Sequence, residues 1–170
     1  MNRLWAPWRM KYLKEELKQV KHTFGGCIFC RIIKEKKDKD NLVVVRGEYC
    51  FIVMNLYPYN NGHLLVIPNR HVNDLKNLKL AEKREFFDML EYAKELLTDV
   101  LSPEGFNIGL NLGRAAGAGI PRHLHMHIVP RWLGDMNFML SVADTKVMSQ
   151  SLKELHKQLS DAHTTRLRRI

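Results

Sequence analysis

Three histidines separated by single apolar residues are the part of this 170-residue sequence best suited to chemistry: His123, His125 and His127. Side chains two residues apart on a β-strand point to the same face, so a strand here would present three imidazoles together. Protonated imidazoles repel one another, and such a cluster is therefore typical of a functional site. The residues alone leave two chemistries open. Either the three rings bind a metal ion together, or one ring is a nucleophile while the other two orient it and supply protons beside it.

The loop before these histidines favours the nucleophile. Within the glycine-rich residues 113–119, Gly117 and Gly119 allow backbone amides to approach a ligand, and consecutive amides bind phosphate oxygens. A phosphoryl group beside a neutral imidazole is suited to covalent transfer. A glycine-rich turn between two strands also forms without a ligand, so the loop alone does not decide between the two chemistries.

Cys27 and Cys30, separated by two residues, form a second group with chemical potential, whereas Cys50 stands apart. Such a pair is half of a zinc site or a redox pair. A redox pair would follow the central strand of a βαβ unit, which the sequence does not predict here, and disulfides are disfavoured inside cells. Two thiolates need two further ligands to complete a tetrahedral zinc site. Without a metal they would be buried free thiols.

Periodicity predicts the elements that position these groups. Apolar residues at helical spacing predict one long amphipathic helix over residues 79–101. Turn-forming residues divide much of the rest into short strands, with a hairpin at Gly47-Glu48. The predicted strands are 42–46, 49–54, 63–68, 106–112 and 122–130, and the shorter helices are 10–20, 27–34 and 147–167. An antiparallel meander sheet packed with one long helix, plus N- and C-terminal helices, is an α+β fold.

Composition excludes several classes of protein. With 45% hydrophobic and 26% charged residues, the chain has the composition of a globular protein. Its apolar runs are too short to cross a membrane and its first residues lack a secretory signal, so we predict a cytoplasmic protein. The net charge of +9 comes from the two ends, with +6 in residues 1–40, −1 in residues 41–145 and +4 in residues 146–170. Basic ends attract polyanions, but without a reading helix or interleaved aromatics nucleic acid is not the expected partner.

Two stretches in a fixed order carry a family resemblance. The first is Gly62-His63-Leu64-Leu65-Val66-Ile67-Pro68, and the second, about 60 residues later, is His123-Leu124-His125-Met126-His127-Ile128-Val129-Pro130-Arg131. Together they resemble the histidine triad (HIT) superfamily of nucleotide hydrolases and transferases, over residues 27–132. Segments 5–10 and 130–138 are similar to the branch that contains bacterial diadenosine tetraphosphate phosphorylases.

The resemblance implies a role for each matching histidine. In the family the middle histidine of the second motif attacks the α-phosphorus and carries the nucleotidyl group, which makes His125 the expected nucleophile. His127 and His63 would hydrogen-bond near the phosphate and complete the catalytic set. An imidazole with a pKa of about 6.5 is largely neutral at pH 7, so it attacks without a strong base. We expect a backbone carbonyl to accept from the other nitrogen of His125 and so fix its tautomer.

The resemblance also implies a nucleotide-binding site. Asn55, eight residues before His63, matches the family's Asn or Asp that binds ribose hydroxyls. The other implied nucleotide-binding residues are Ile28, Phe29, Ile32, Val53 and Leu56 at the base, and Asn111, Gly117 and Gly119 at the phosphates. The apolar ones are equally suited to an ordinary core. Gly119 departs from the family, because many members have a Gln or Ser there that contacts the scissile phosphate, and this leaves the acceptor open between water and phosphate.

Zinc-containing members of the family supply two metal ligands at positions that match His71 and His123. The resemblance therefore implies a structural zinc site made of Cys27, Cys30, His71 and His123. Four protein ligands close a tetrahedral site and leave no position for substrate. We expect this site to hold the N-terminal segment against the triad strand.

The expected protein is a single HIT domain over residues 1–170, with a motif core at 27–132, an N-terminal extension at 1–26 and a C-terminal extension with a helix at 133–170. As in the family, we expect a homodimer. Its expected activity is phosphorolysis or hydrolysis of diadenosine polyphosphates through a covalent nucleotidyl-His125 intermediate. The alternatives are a hydrolase of nucleoside phosphoramidates or adenylyl conjugates, and a nucleotide-binding protein with little turnover.

Overall fold

The computed structural model describes residues 26–135 and 148–168. The predicted helix at 10–20 and the motif segment at 5–10 lie outside these residues. In the described part of the chain the strands are β1 (Val43–Arg46), β2 (Cys50–Met54), β3 (Leu64–Pro68), β4 (Gly105–Leu110) and β5 (Met126–Arg131). The helices are α1 (Ile28–Glu35), α2 (Leu80–Leu101) and α3 (Leu152–Leu167), and a 3₁₀ turn covers Leu75–Asn77.

The five strands form one sheet in the order β1-β2-β3-β5-β4, and each neighbouring pair is antiparallel. The predicted α+β fold is confirmed. Strands β1 to β3 form a meander, after which α2 carries the chain to the far edge of the sheet. Strand β4 forms that edge and β5 returns between β4 and β3. His127 therefore lies on an interior strand, where it pairs with Leu65 of β3.

Alternation along the central strands divides the core between the two faces of the sheet. In β3, Leu64 and Val66 pack into the larger apolar cluster, on the side covered by α2 and α3. Leu65 and Ile67 pack into a smaller cluster that includes Phe29 of α1. Because strand side chains alternate with a period of two, one run of apolar residues supplies both faces. The smaller cluster is the face on which the histidines gather.

Helix α2 is fixed at its start by Glu82, a buried carboxylate in its first turn. The backbone amide of Lys79 donates to Glu82 at 2.7 Å, and the Arg70 guanidinium donates to both of its oxygens at 2.8 and 2.7 Å. The bidentate bond to Arg70 is the main cause that lowers the pKa of Glu82 to about 2. Arg70 immediately precedes His71, so this ion pair also holds the segment that carries a predicted metal ligand.

Glu82→Gln is expected to destabilise the protein at pH 7 by about 1–3 kcal/mol, because a charge-assisted bidentate bond and a helix cap are weakened together. The difference from wild type should shrink as the pH falls below 4.5, the ordinary value for a glutamate, towards about 2. The wild type loses stability over this pH range because the pKa of Glu82 is lower in the folded than in the unfolded protein. Protonation of Glu82 then removes the same charge that the glutamine substitution removes. Denaturant unfolding at several pH values measures this. Glu91→Gln, at an exposed position of α2, is the matched control.

The C-terminal helix α3 is shorter than predicted and begins at Leu152, where the Ser151 side chain accepts from the Glu154 amide. It packs on α2 and β1, and buried His156 lies 2.8 Å from the carbonyl of Val43 through its Nε2. His156 is therefore a structural residue. No helix in residues 26–135 or 148–168 has the length and apolar character that a membrane span requires.

Candidate active site

Strand β5 begins at Met126, so the prediction of a strand from residue 122 is wrong for His123 and His125. His123 lies at a bend and His125 directly precedes the strand, and between them the Leu124 amide donates to the Val72 carbonyl at 2.6 Å. The predicted alternation nevertheless continues through both parts. The intervening apolar side chains Leu124, Met126 and Ile128 are buried in the larger cluster. The three histidines are therefore directed to the opposite face.

The histidine rings contact one another and Phe29 of α1. The ring centroids of His125 and His127 are 5.0 Å apart, and those of His63 and His127 are 5.1 Å apart. Phe29 has its ring centroid 5.4 Å from that of His123 and 5.4 Å from that of His125. The structure thus brings together the histidines predicted for catalysis: His127 lies on β5, His125 directly precedes β5, and His63 directly precedes the neighbouring strand β3.

His125 has the tautomer that a nucleophile requires. Its Nδ1 lies 2.8 Å from the backbone carbonyl oxygen of His123. A carbonyl only accepts, so Nδ1 carries the proton and donates, which leaves the lone pair on Nε2. The expected hydrogen bond to a backbone carbonyl is confirmed. Burial of His125 lowers its pKa, and the ring is therefore neutral near pH 7.

His63 joins the triad through a short hydrogen bond. Its Nε2 lies 2.9 Å from Nδ1 of His127, and the Tyr59 ring packs on both, with centroid distances of 4.8 Å to His63 and 5.9 Å to His127. Burial, followed by the proximity of His127 and then His125, lowers the pKa of His63 to about 3. His63 and His125 are therefore neutral at pH 7.

The predicted nucleotide-binding residues lie in three different environments. Ile28, Phe29, Ile32 and Val53 belong to the smaller apolar cluster or pack against it. Leu56 is 56% exposed, and the half-buried Asn55 contacts His63. Asn111 follows the end of β4, and Gly117 and Gly119 are exposed in the glycine-rich loop, where the Gly117 amide donates to the Arg114 carbonyl at 3.0 Å. Their contact with a nucleotide stays a prediction.

Gly62 precedes His63 in a conformation that only glycine adopts readily, with φ of +77°. A Cβ there would lie 2.6 Å from Leu101 and 3.0 Å from both Leu97 and Pro130. Gly62→Ala is therefore expected to destabilise the protein by about 2–4 kcal/mol, since strained backbone and overpacking combine.

Gly113→Ala is the matched control for Gly62→Ala, because Gly113 has φ of +81° but no atom within 4 Å of an added Cβ. Gly113→Ala should lower the free energy of unfolding only by the backbone strain, about 1–2 kcal/mol. Denaturant unfolding of the two variants gives the comparison. Equal losses would show that close packing against Leu97, Leu101 and Pro130 adds nothing to the cost of the Gly62 substitution.

The four predicted metal ligands are brought together at the N-terminal end of α1. The ligand atoms of Cys27, Cys30, His71 and His123 all lie within 4.8 Å of one another. Nδ1 of His123 is 3.2 Å from Sγ of Cys27 and 3.7 Å from Sγ of Cys30, and Nδ1 of His71 is 3.3 Å from Sγ of Cys30. Zinc bonds of about 2.3 Å to sulfur and 2.0 Å to nitrogen place tetrahedral ligand atoms roughly 3.5 Å apart, which these distances match.

The surroundings of His123 also fit a metal ligand. Its Nε2 lies 2.8 Å from the Pro68 carbonyl, so Nε2 donates and Nδ1 presents its lone pair to the cysteines. Burial is the main cause that lowers the pKa of His123 to about 4, which keeps the ring neutral as metal binding requires. Burial and the neighbouring Cys27 raise the pKa of the Cys30 thiol to about 11, a cost that a bound cation would offset.

Comparisons with known proteins agree with the geometry. The HIT domain profile matches residues 36–132. A Mycobacterium tuberculosis protein named AP-4-A phosphorylase is 40% identical over 162 residues, which cover 94% of this chain and 83% of that protein. The chain belongs to the HIT family. It is thus an enzyme of the HIT class of nucleotide hydrolases and transferases, as predicted.

Two further HIT relatives extend the comparison. A Schizosaccharomyces pombe bis(5'-nucleosyl)-tetraphosphatase (asymmetrical) is 38% identical over 95 residues, covering 56% of this chain and 52% of that protein. The crystal structure of a zinc-bound histidine triad family protein from Mycobacterium smegmatis has a TM-score of 0.69 at 24% identity, covering 85% of this chain and 97% of that chain. This second likeness shows that the HIT fold is shared.

The sequence did not indicate that the loop at residues 55–62 helps to hold His63 in this HIT site. The Tyr59 amide donates to Nδ1 of His63 at 3.1 Å, a backbone contact that leaves no mark on residue type. Buried Asn60 fastens the loop, because its Nδ2 donates to the Pro130 carbonyl at 2.9 Å and to Asp135 at 2.8 Å. The spacing of Arg131 and Asp135, which form an ion pair, is the only signal that could have indicated this network.

Proposed function

We propose that the protein cleaves diadenosine polyphosphates by phosphorolysis or hydrolysis, through a covalent intermediate on Nε2 of His125. The observation that carries the proposal is the 2.8 Å hydrogen bond from Nδ1 of His125 to the His123 carbonyl. It directs a neutral lone pair to the face shared by His127 and His63. The 40% identity to a protein named AP-4-A phosphorylase supports this substrate class, and the coverage of 94% of the chain supports its extension to the whole sequence.

In the first step Nε2 of His125 attacks the α-phosphorus, a P–N bond forms, and the P–O bond to the polyphosphate breaks. The electron pair of that bond leaves with the polyphosphate oxygen. In the second step an oxygen of inorganic phosphate or water attacks the same phosphorus, the P–N bond breaks, and its electron pair returns to Nε2. Phosphate as acceptor gives ADP, and water gives AMP plus a proton. His125 is regenerated in both cases.

The other site residues have supporting roles in this proposal. His127 donates a hydrogen bond to the phosphoryl oxygens as charge develops on them, and His63 orients His127. Asn55 holds the ribose, and the apolar side chains around Phe29 take the base. Gly117 and Gly119 offer backbone donors to the phosphates, a role that matters more here because Gly119 carries no side-chain donor.

Cys27, Cys30, His71 and His123 would hold a structural zinc ion. The closeness of their ligand atoms and the tautomer of His123 support this assignment. A bound zinc ion in a closed four-ligand site supplies folding energy and takes no part in the chemistry. The residues themselves position α1, which carries Phe29, against the segment that carries His125.

Product analysis tests the proposed activity. The enzyme is incubated with diadenosine tetraphosphate, with and without inorganic phosphate, and the nucleotides are separated. ADP plus ATP formed only with phosphate supports phosphorolysis, and AMP plus ATP supports hydrolysis. No cleavage under either condition, with release of AMP from an amine-linked or ester-linked adenylate, would replace the proposal with the conjugate hydrolase. Binding of nucleotides without any turnover would make the protein a nucleotide-binding protein.

The single domain over residues 1–170, the homodimer and the cytoplasmic location stay predictions. Sedimentation of the purified protein, at concentrations that span the micromolar range, tests the homodimer. A monomer at all concentrations would contradict it.

A further inference from the structure

We propose that Asn55, together with the backbone amide of Tyr59, makes the enzyme selective for leaving groups that depart as anions. The two donors hold His63 in a tautomer that keeps His127 a hydrogen-bond donor and prevents it from acting as a general acid. The inference rests on the proposed function, because it concerns the group expelled in the first step. It gives Asn55 a positioning role in addition to ribose binding.

Two independent donors converge on Nδ1 of His63. The Tyr59 amide lies 3.1 Å from this atom, and a backbone N–H only donates. Nδ2 of Asn55 lies 3.2 Å from the same atom. The orientation of the Asn55 amide is fixed, because its Oδ1 accepts from the Tyr57 amide at 3.1 Å. Nδ1 of His63 is therefore an acceptor without a proton, and the proton of the neutral ring is on Nε2.

The tautomer of His63 determines that of His127. Nε2 of His63 lies 2.9 Å from Nδ1 of His127, so the proton on His63 donates and Nδ1 of His127 accepts. The neutral His127 ring then carries its own proton on Nε2. The 5.0 Å separation of the His125 and His127 rings places this N–H donor beside the nucleophile.

This arrangement donates a hydrogen bond but cannot release a proton. If His127 gave up the proton on its Nε2, its ring could stay neutral only by taking the proton from Nε2 of His63. His63 would then be an imidazolate, because neither the Tyr59 amide nor the Asn55 amide can give a proton to Nδ1. A polyphosphate leaves as an anion and needs no proton. An amine is a poor leaving group without one, so its release depends on a general acid that this relay does not supply.

An aspartate at position 55 would reverse this property. A carboxylate oxygen placed where Nδ2 of Asn55 lies would face Nδ1 of His63 lone pair to lone pair, unless Nδ1 gains a proton. A proton there makes His63 an imidazolium, held by the new carboxylate, because this charge-assisted hydrogen bond outweighs the neutral one that the Tyr59 amide then loses. The proton on Nε2 of His63 can then pass to His127 while the proton on Nε2 of His127 passes to the leaving nitrogen. When the P–N bond of the substrate breaks, that nitrogen keeps the electron pair and departs as a neutral amine.

The first test measures the tautomers by ¹⁵N NMR of the imidazoles at pH 7 without substrate, with His63 assigned through His63→Gln. We expect Nδ1 of His63 to lack a proton in the wild type and in Asn55→Ala, where the Tyr59 amide remains. We expect it to carry a proton in Asn55→Asp. Asn73→Asp is the control, because it adds the same charge at an exposed position and preserves an acceptor for Asn77. Nδ1 of His63 should lack a proton in this variant, as in the wild type. A protonated Nδ1 in the wild type, or an unprotonated one in Asn55→Asp, would overturn the proposal.

The second test compares kcat/KM for diadenosine tetraphosphate with that for adenosine 5'-monophosphate linked to a primary amine. Asn55→Asp should raise the ratio of amine to polyphosphate activity by at least about tenfold, within the contribution of a general acid. Ribose binding alone predicts a change common to both substrates, and therefore an unchanged ratio, which would contradict the proposal. The tautomers are measured without substrate, so a failure of the proposed activity is distinguishable from a failure of this inference.

Discussion

His125→Ala should lower turnover of diadenosine tetraphosphate by about 10⁴-fold or more, because the variant lacks the atom proposed to bond to phosphorus. The nucleotide should still bind with an affinity within a few-fold of that of the wild type, since the residues proposed to hold its phosphates and base are unchanged. The structure predicts a modest effect on folding. His125 makes one described hydrogen bond, to the His123 carbonyl, and its ring contacts are those with Phe29 and His127.

Two measurements separate the loss of chemistry from other effects. Mass spectrometry of the wild type quenched during turnover should show the mass of one added nucleotidyl group, which His125→Ala should lack. His163→Ala is the matched control, because His163 lies on α3 with its Nδ1 2.7 Å from the Tyr92 hydroxyl, away from the triad. A His125→Ala enzyme that keeps more than about a tenth of wild-type turnover would exclude His125 as the nucleophile.

Cys27→Ser should remove the metal and destabilise the protein by about 4 kcal/mol or more, as expected when a structural metal is lost. Serine has the wrong chemistry for a soft ligand, and Sγ of Cys27 lies 3.2 Å from the ligand atom of His123. Elemental analysis of wild-type protein purified without added metal should show close to one zinc per chain. The variant should contain far less and should unfold at a lower denaturant concentration.

Cys50→Ala provides the comparison for Cys27→Ser. Cys50 is fully buried at the start of β2 and lies outside the metal cluster. Its replacement should keep the zinc content and cost about 1 kcal/mol for the lost side-chain packing. Equal zinc content in all three proteins would refute the four-ligand site, and equal stability of the two variants would show that the metal does not support the fold.

Elements with strong local patterns could be predicted from the sequence with small errors. The long helix was expected over residues 79–101 and is observed at Leu80–Leu101, where Ser102 ends it in a left-handed conformation. The hairpin at Gly47-Glu48 is also observed. Both depend on neighbours along the chain, such as the spacing of apolar residues and the turn formers between two strands.

Features that depend on distant partners could not be predicted. Strand β5 begins at Met126, which pairs with Val66 of β3 and with Leu110 at the end of β4. The chain before Met126 then follows the segment at Val72 instead of a strand. The position of β5 between β3 and β4 likewise follows from the route of α2 across the sheet, about which residue types say little.

The residues of the candidate site also fall into those that the sequence pattern indicated and those that depend on distant partners. The C-x-x-C pair indicated half of a metal site, whereas His71 and His123 were identified only through a family resemblance and are now seen within 4.8 Å of the cysteines. The histidine cluster was visible in the sequence because its residue types are unusual. The Tyr59 amide was not, since every residue except proline has the same N–H.

His123 has two attachments that serve different parts of the site. Its ring is one of the proposed zinc ligands, and its carbonyl accepts a hydrogen bond from Nδ1 of His125. A substitution that removes the ring leaves this carbonyl in the chain but removes the hydrogen bond from the ring to the Pro68 carbonyl, which helps to hold the peptide in place. Retention of the histidine as a metal ligand therefore also preserves the position of the carbonyl that orients His125.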